Sequence, residues 1–86
     1  MPQSIIYVMD VRGYYEARIN SVEEYQQTIT IARRLGDRLV RAFNVPSTFG
    51  ADAWALAMEF AGDQNERKKP DLRTLEDQIR NLTQTQ

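Results

Sequence analysis

The 86-residue chain contains no cysteine and no histidine, and these two absences remove most routes to catalysis. Without cysteine there is no disulfide framework, no thiolate nucleophile and no thiolate metal site. Without histidine, the usual base that activates a nucleophile is also missing. The four glycines form no phosphate-cradling motif. We therefore predict that the protein is not an enzyme and that it requires no cofactor and no metal ion.

Long apolar runs and an excess of charge of one sign are missing too. No stretch approaches the roughly 20 apolar residues that a membrane-spanning helix needs, and the N-terminal residues lack the basic segment of a signal peptide. Eleven basic residues oppose twelve acidic ones, so the net charge of −1 provides no general attraction to nucleic acid or anionic lipid. The composition predicts a single cytoplasmic domain over residues 1–86 that does not bind membranes.

Two short segments at the N-terminus have the pattern of β-strands. Residues 5–9 form a continuous run rich in β-branched and aromatic side chains, which is typical of a buried strand. Residues 14–19 alternate between apolar and polar side chains, which is typical of a strand with one wet face. The segment 10–13 between them has the length of a hairpin loop. We predict a two-stranded β-hairpin over residues 3–19.

The pattern changes to a helical one at Ser21. Ser21 and Glu24 have the spacing of a capping box, which marks the start of a helix. Apolar residues then recur every three or four positions as far as Phe43, which predicts one long helix over 21–44. Gly36 interrupts this pattern at a cost of about 1 kcal/mol relative to alanine. The glycine therefore marks either a break in the segment or a place where another group packs closely.

Two further helices are predicted after Pro46, because the residue before a proline is pushed away from helical angles. The first covers 48–61 and ends at Gly62, and the second covers 70–83 after a polar loop. The second carries an apolar seam with spacings of three and four residues, formed by Leu72, Leu75, Ile79 and Leu82. The predicted fold class is α+β, a hairpin followed by a long helix, a short apolar helix and an amphipathic helix.

The short helix over 48–61 is apolar on almost every side, and this feature suggests a function. Between residues 51 and 61 only Asp52 and Glu59 are charged, so most of the helix must be covered. A chain of this length has a thin core, and a second protein, most simply another copy, would supply the missing cover. The alternative is that the helices and the hairpin close around it in a monomer. The predicted partner-binding residues are Trp54, Met58, Phe60, Leu72, Leu75, Ile79 and Leu82.

Arginines suggest a second surface. Arg34, Arg38 and Arg41 would share one face of the predicted long helix, with Arg33 beside them, and could contact an acidic partner or phosphates. A solvated face paired with nearby acids explains the same pattern. The segments IARRLG (31–36) and FNVPSTFG (43–50) each resemble part of a helix-turn-helix, although the helix after Pro46 lacks side chains that read base edges.

Together these features predict a small homodimeric module that binds another protein as an adaptor or an inhibitor. The alternative is a regulator that binds DNA or RNA through the arginine face and a helix-turn-helix-like element.

Overall fold

The computed structural model describes residues 2–84, so residues 1, 85 and 86 of the predicted domain lie outside the described residues. The fold is α+β, with a three-stranded antiparallel sheet and three α-helices in this part of the chain. The strand order is β2-β1-β3, so the first strand is central. The elements are β1 (Gln3–Val11), β2 (Tyr14–Ser21), α1 (Val22–Arg34), β3 (Arg38–Pro46), α2 (Gly50–Asn65) and α3 (Leu72–Gln84), with a short 3₁₀ turn at Ser47–Phe49 before α2.

The predicted hairpin is present, and its turn consists of Arg12 and Gly13. Both turn residues have positive φ, 53° and 98°, as a two-residue type I′ turn requires. The Asp10 carboxylate accepts a hydrogen bond from the Gly13 N–H at 2.8 Å and fixes the turn. This turn sets the register of β1 and β2, in which Val8 lies opposite Ala17.

The prediction of one long helix over 21–44 is wrong, because its second half is a strand. The capping box of Ser21 and Glu24 is present, and α1 starts where it predicts. The helix ends before Gly36, which has φ +92°. The Gly36 N–H donates to the Arg33 carbonyl and the Asp37 N–H donates to the Ala32 carbonyl, the two bonds of a Schellman motif. Gly36 is thus a break, but one between a helix and a strand, and its missing side chain faces open space.

The third strand also corrects the prediction that the sheet has only two strands. Residues 39–45 contain two valines and a phenylalanine, which suit a strand, and Phe43 and Val45, two residues apart, share one buried face. Pairing with the free side of β1 gives this segment backbone hydrogen bonds and a buried face. Pro46 ends β3 instead of a helix.

The central strand explains the continuous apolar run at residues 5–9, because helices cover both faces of the sheet. Ile6 and Val8 point to one face and pack under α2 and α3. Ile5, Tyr7 and Met9 point to the other face and pack under α1. A strand that is buried on both faces shows no alternation between apolar and polar residues.

Helix α2 lies on β1 and β2 through a stripe of small side chains at positions 53, 57 and 61, all of them buried. Small side chains allow the helix to approach the sheet closely. The predicted end at Gly62 is early, since α2 continues to Asn65. Helix α3 packs against α2, so strands β1 and β2 and helix α3 together cover most of the apolar surface of α2. The chain therefore covers much of this helix itself.

Candidate interaction surfaces

Three of the predicted partner-binding residues lie in the core of the chain. Phe60, Leu75 and Ile79 are buried in the cluster that includes Ile6 and Val8. Leu72 and Leu82, at the two ends of the α3 seam, are half-buried and pack against the same cluster. The seam thus faces the chain's own sheet and α2, and little of its area is free for a partner.

Trp54 and Met58 differ in exposure although they are one turn apart. Trp54 is half-buried, and its Nε1 donates a hydrogen bond to the carbonyl oxygen of Ala17 at 3.0 Å. Met58 is 42% exposed and lies in a shallow depression with Tyr14 and Tyr15 of β2. Of the predicted contact residues on α2, Met58 has the largest exposed fraction.

The outer edge of β2 is partly closed by side chains of α2. An edge strand exposes backbone N–H and C=O groups that can pair with another chain. At Tyr15 both groups are bonded to the side chain of Asn65, at 2.7 Å and 2.9 Å. At Ala17 the carbonyl is bonded to Trp54. Tyr15 therefore has no backbone group left for a further strand, and the carbonyl of Ala17 is also occupied.

The outer edge of β3 has no neighbouring strand within the described residues 2–84. Residues of an antiparallel strand alternate between bonding their neighbour and pointing their backbone groups away from it. Because Tyr15 points outward from β1 to reach Asn65, its partner Asp10 directs its backbone toward β3, as do the other even-numbered residues of β1. Phe43, opposite Ile6, is therefore bonded to β1.

It follows that Ala42 and Asn44 direct their N–H and C=O groups away from the sheet. No hydrogen bond to these groups comes from any other element within residues 2–84, and β3 has no second neighbour there. A bulge at Val40 interrupts the strand before this segment, and Pro46, which has no N–H, ends it. We call Ala42, Asn44 and the residue between them the β3 edge.

Helix α1 carries two exposed apolar side chains one turn apart. Ile31 is 57% exposed and Leu35, at the helix C-cap, is 62% exposed. Beside them is a cleft of about 190 Å³ whose walls include Arg18, Thr28 and Asp37. We call Ile31 and Leu35 the α1 apolar pair. The sequence pattern places both residues in a helix but does not single them out, because their exposure depends on where α1 ends.

The four predicted contact arginines do not share a face, because the turn at Gly36 separates them. Arg33 and Arg34 lie in the last turn of α1, where the helix dipole stabilises positive charge. Their side chains have no hydrogen-bond or ion-pair partner among the described residues. Arg38 and Arg41 lie on β3, where Arg38 pairs with Asp10 at 3.0 Å and Arg41 pairs with Glu76 of α3.

A fifth arginine, Arg12, links the two turns at one end of the sheet. Its Nη1 donates to the Asp37 carboxylate at 2.9 Å and to the Leu35 carbonyl at 3.1 Å. Asp37 is buried, whereas the Arg12 side chain is 61% exposed. This contact joins the β1–β2 turn to the α1–β3 turn and fixes the position of Leu35 in the α1 apolar pair.

The two segments that resemble a helix-turn-helix do not form one. The first leads from α1 into β3, and the second leads from β3 through a 3₁₀ turn into α2. A helix-turn-helix needs two helices joined by a short turn, and neither segment joins two helices.

Over residues 2–84, no cluster of three acidic side chains has the arrangement of a metal site. No helix in the same range combines the length and the apolar character needed to cross a membrane. Comparisons with protein-family models, with curated proteins and with solved structures find no match for this chain.

Proposed function

We propose that this chain is a small, non-enzymatic module that binds another protein in the cytoplasm, as an adaptor or an inhibitor, and that it works as a homodimer. The observation that supports partner binding is the α1 apolar pair. Each of the two residues is more than half exposed, although apolar residues of this size gain about 1.5–3 kcal/mol each from full burial.

The surroundings of the pair resemble the usual anatomy of a protein contact. Such contacts combine an apolar centre with a polar rim. Here Ile31 and Leu35 form the centre, while Arg18, Thr28 and Asp37 line the adjoining cleft. A partner side chain of moderate size would fill that cleft and cover Leu35. The backbone around the site is held by the bonds from Arg12, so little ordering is needed when a partner binds.

The proposal is tested by photo-crosslinking in the host cell. A photoreactive amino acid at position 35 should link to one partner protein in the wild-type background. Replacing Ile31 with Ser should abolish this link, because it removes half of the apolar centre. Val22→Ser is the matched control, since Val22 is also an exposed apolar residue of α1 but lies at its other end.

The purified partner should then bind the wild-type protein and the Val22→Ser variant with equal affinity. The Ile31→Ser variant should bind at least tenfold more weakly. If all three proteins bind equally, the α1 apolar pair is not the contact surface.

The ion pairs of two arginines support protein binding over the nucleic-acid alternative. Arg38 and Arg41 already have carboxylate partners within the chain, which reduces their availability to phosphates. A mobility-shift assay on mixed DNA and RNA at low and moderate salt separates the two functions. We expect no tight binding. Binding that weakens with a log–log salt slope of roughly −0.9 per phosphate contact, and that the variant Arg34→Gln/Arg38→Gln/Arg41→Gln loses, would favour the nucleic-acid function.

A further inference from the structure

The two edges of the sheet are unlike, and this difference points to the surface that joins two copies. The β2 edge is closed at Tyr15 and Ala17 by side chains of α2, whereas the β3 edge is open. We propose that two copies of this chain pair through their β3 edges, antiparallel and around a two-fold axis, to form one continuous six-stranded sheet. This inference rests on the homodimer of the proposed function and specifies its interface.

A second copy is the occupant that the geometry favours, because an antiparallel strand edge complements itself. The same N–H and C=O groups serve as donors and acceptors on both copies under a two-fold axis. Under this two-fold pairing each copy uses its β3 edge once. The β2 edge that remains outside is blocked at Tyr15 and at the carbonyl of Ala17, which disfavours growth into a filament. A chain with two open edges would have no such limit.

The register follows from the features that bound the β3 edge. The bulge at Val40 and the proline at position 46 leave Ala42 and Asn44 as the outward-facing residues between them. In this register Ala42 of each copy lies opposite Asn44 of the other. Each of these two pairs forms two backbone hydrogen bonds, so the interface has four. The two-fold axis then passes between the two Phe43 residues, which lie opposite each other as a non-hydrogen-bonded pair.

Side-chain chemistry is compatible with this register. Phe43 is half-buried on the face under α2 and α3, and a cross-strand aromatic pair stabilises antiparallel strands. Arg41 would lie opposite Val45, so no like charges face each other directly. The charge of Arg41 is also neutralised within each copy by Glu76. The strand therefore brings no strong repulsion to the interface.

The absence of cysteine makes the register directly measurable. In the proposed pair the Cα atoms at position 43 are about 4.5 Å apart, within the range that a disulfide spans. The Cα atoms at position 44 are about 8–9 Å apart, given an offset of two residues along the strand, and a disulfide cannot span that distance. Under mild oxidation Phe43→Cys should give a covalent dimer quickly, and Asn44→Cys should not.

Asn44→Cys is a stringent control because position 44 is more exposed than position 43. Random collisions between copies would therefore link position 44 first. Rapid linking at position 44 with none at position 43, in folded protein, would overturn the proposed register.

A proline tests the edge independently of cysteine. The N–H of Asn44 points outward, so Asn44→Pro removes a donor from the β3 edge without breaking a bond to β1. Asn44→Ala retains the N–H and is the matched control. Because the substitution is present in both copies, Asn44→Pro removes two hydrogen bonds from the dimer. It should raise the dimer dissociation constant roughly tenfold or more, while Asn44→Ala leaves it within about twofold.

Light scattering and analytical ultracentrifugation at micromolar to millimolar concentration give the result. A dimer that Asn44→Pro weakens and Asn44→Ala does not, with linking at position 43, supports the interface. A wild-type dimer that Asn44→Pro leaves intact overturns the β3 interface but not the homodimer. A wild-type monomer at every concentration overturns both. If Asn44→Pro fails to fold, linking at position 43 against position 44 decides the question.

Discussion

The side-chain amide of Asn65 binds both backbone groups of Tyr15, with Nδ2 donating to the carbonyl at 2.9 Å and Oδ1 accepting from the N–H at 2.7 Å. A neighbouring strand would make the same two bonds. The last turn of α2 therefore occupies a position on the β2 edge that another chain would otherwise take. This contact also joins residues 50 positions apart in the sequence.

We predict that Asn65→Ala lowers the free energy of unfolding by about 1–2 kcal/mol, because two hydrogen bonds are lost and the Tyr15 groups regain water only in part. The measurement is urea unfolding followed by Trp54 fluorescence. Gln64→Ala is the control, since Gln64 is similarly half-buried on the same turn and should change stability by less than about 0.5 kcal/mol. Equal effects of the two substitutions would show that the contact contributes nothing specific.

The two glycines at positions 36 and 62 should respond to alanine in opposite directions. Gly36 has φ +92°, which an alanine adopts at a cost, so Gly36→Ala should destabilise the protein by about 1 kcal/mol or more. Gly62 lies within α2, and an added Cβ would meet no atom within 4 Å. Gly62→Ala should therefore stabilise the protein by about 0.5–1 kcal/mol.

Thermal unfolding of both glycine variants checks this pair of predictions. A stabilising Gly36→Ala would mean that α1 continues through position 36, as the sequence pattern alone suggested. The Gly62 variant shows that any loss at position 36 comes from the backbone angle and not from alanine in general.

How far the sequence determines this fold is clearest at positions 36 to 46. The hairpin, the capping box and the last helix were predicted because each depends on neighbouring residues. The third strand was missed because Leu39 and Phe43 have the four-residue spacing of a helix, whereas the bulge at Val40 places them on opposite faces of the sheet. The strand forms because it pairs with the free side of β1, which is distant in the sequence.

The candidate surfaces likewise depend on contacts between residues that are distant in the sequence. The sequence identified α2 as a helix that must be covered and left open whether a partner or the chain's own elements cover it; the sheet and α3 cover most of it. The arginines were placed on one face by the assumption of a continuous helix. Asn65 and the β3 edge carry no local signal, because their roles depend on which strand lies at the edge of the sheet. Gly36, a glycine within a helical pattern that β-branched residues follow, was the local signal that the helix ends there.

Tyr7 should make stability fall at alkaline pH. Its ring is fully buried edge-to-face with Tyr25, and its hydroxyl donates to the side chain of Asn20. Burial raises the pKa of Tyr7 above its ordinary value of 10.0, although Arg18 acts in the opposite direction. Between pH 10 and the raised pKa, the folded protein keeps a proton that the unfolded chain has lost. Stability is therefore present below pH 10 and is lost as pH rises through this window.

Urea unfolding at intervals from pH 8 to pH 11 measures this loss, and Tyr7→Phe provides the comparison. The variant should be about 1 kcal/mol less stable at neutral pH, because Asn20 loses its donor. It should also lose less stability than the wild type above pH 10, because position 7 no longer titrates. Parallel curves for the two proteins would show that Tyr7 does not contribute to the alkaline loss.

The ion pair of Arg12 and Asp37 should be asymmetric in its energetics. The Asp37 side chain is only 4% exposed, whereas that of Arg12 is 61% exposed. Arg12→Ala leaves a buried carboxylate without its partner and also removes the bond to the Leu35 carbonyl, so we expect a loss of about 2 kcal/mol. Asp37→Ala frees an arginine that water can solvate, and we expect a loss of about 1 kcal/mol.

A double-mutant cycle gives the sharper test of this asymmetry. In the Arg12→Ala background the Asp37 carboxylate is a cost, so adding Asp37→Ala should leave stability unchanged or raise it. The double variant should therefore be no less stable than Arg12→Ala alone, and the two losses should fail to add by about 1 kcal/mol or more. Chemical denaturation of the four proteins at pH 7 completes the cycle. Additive losses would mean that Asp37 is solvated in the folded protein and that Arg12 acts through the Leu35 carbonyl alone.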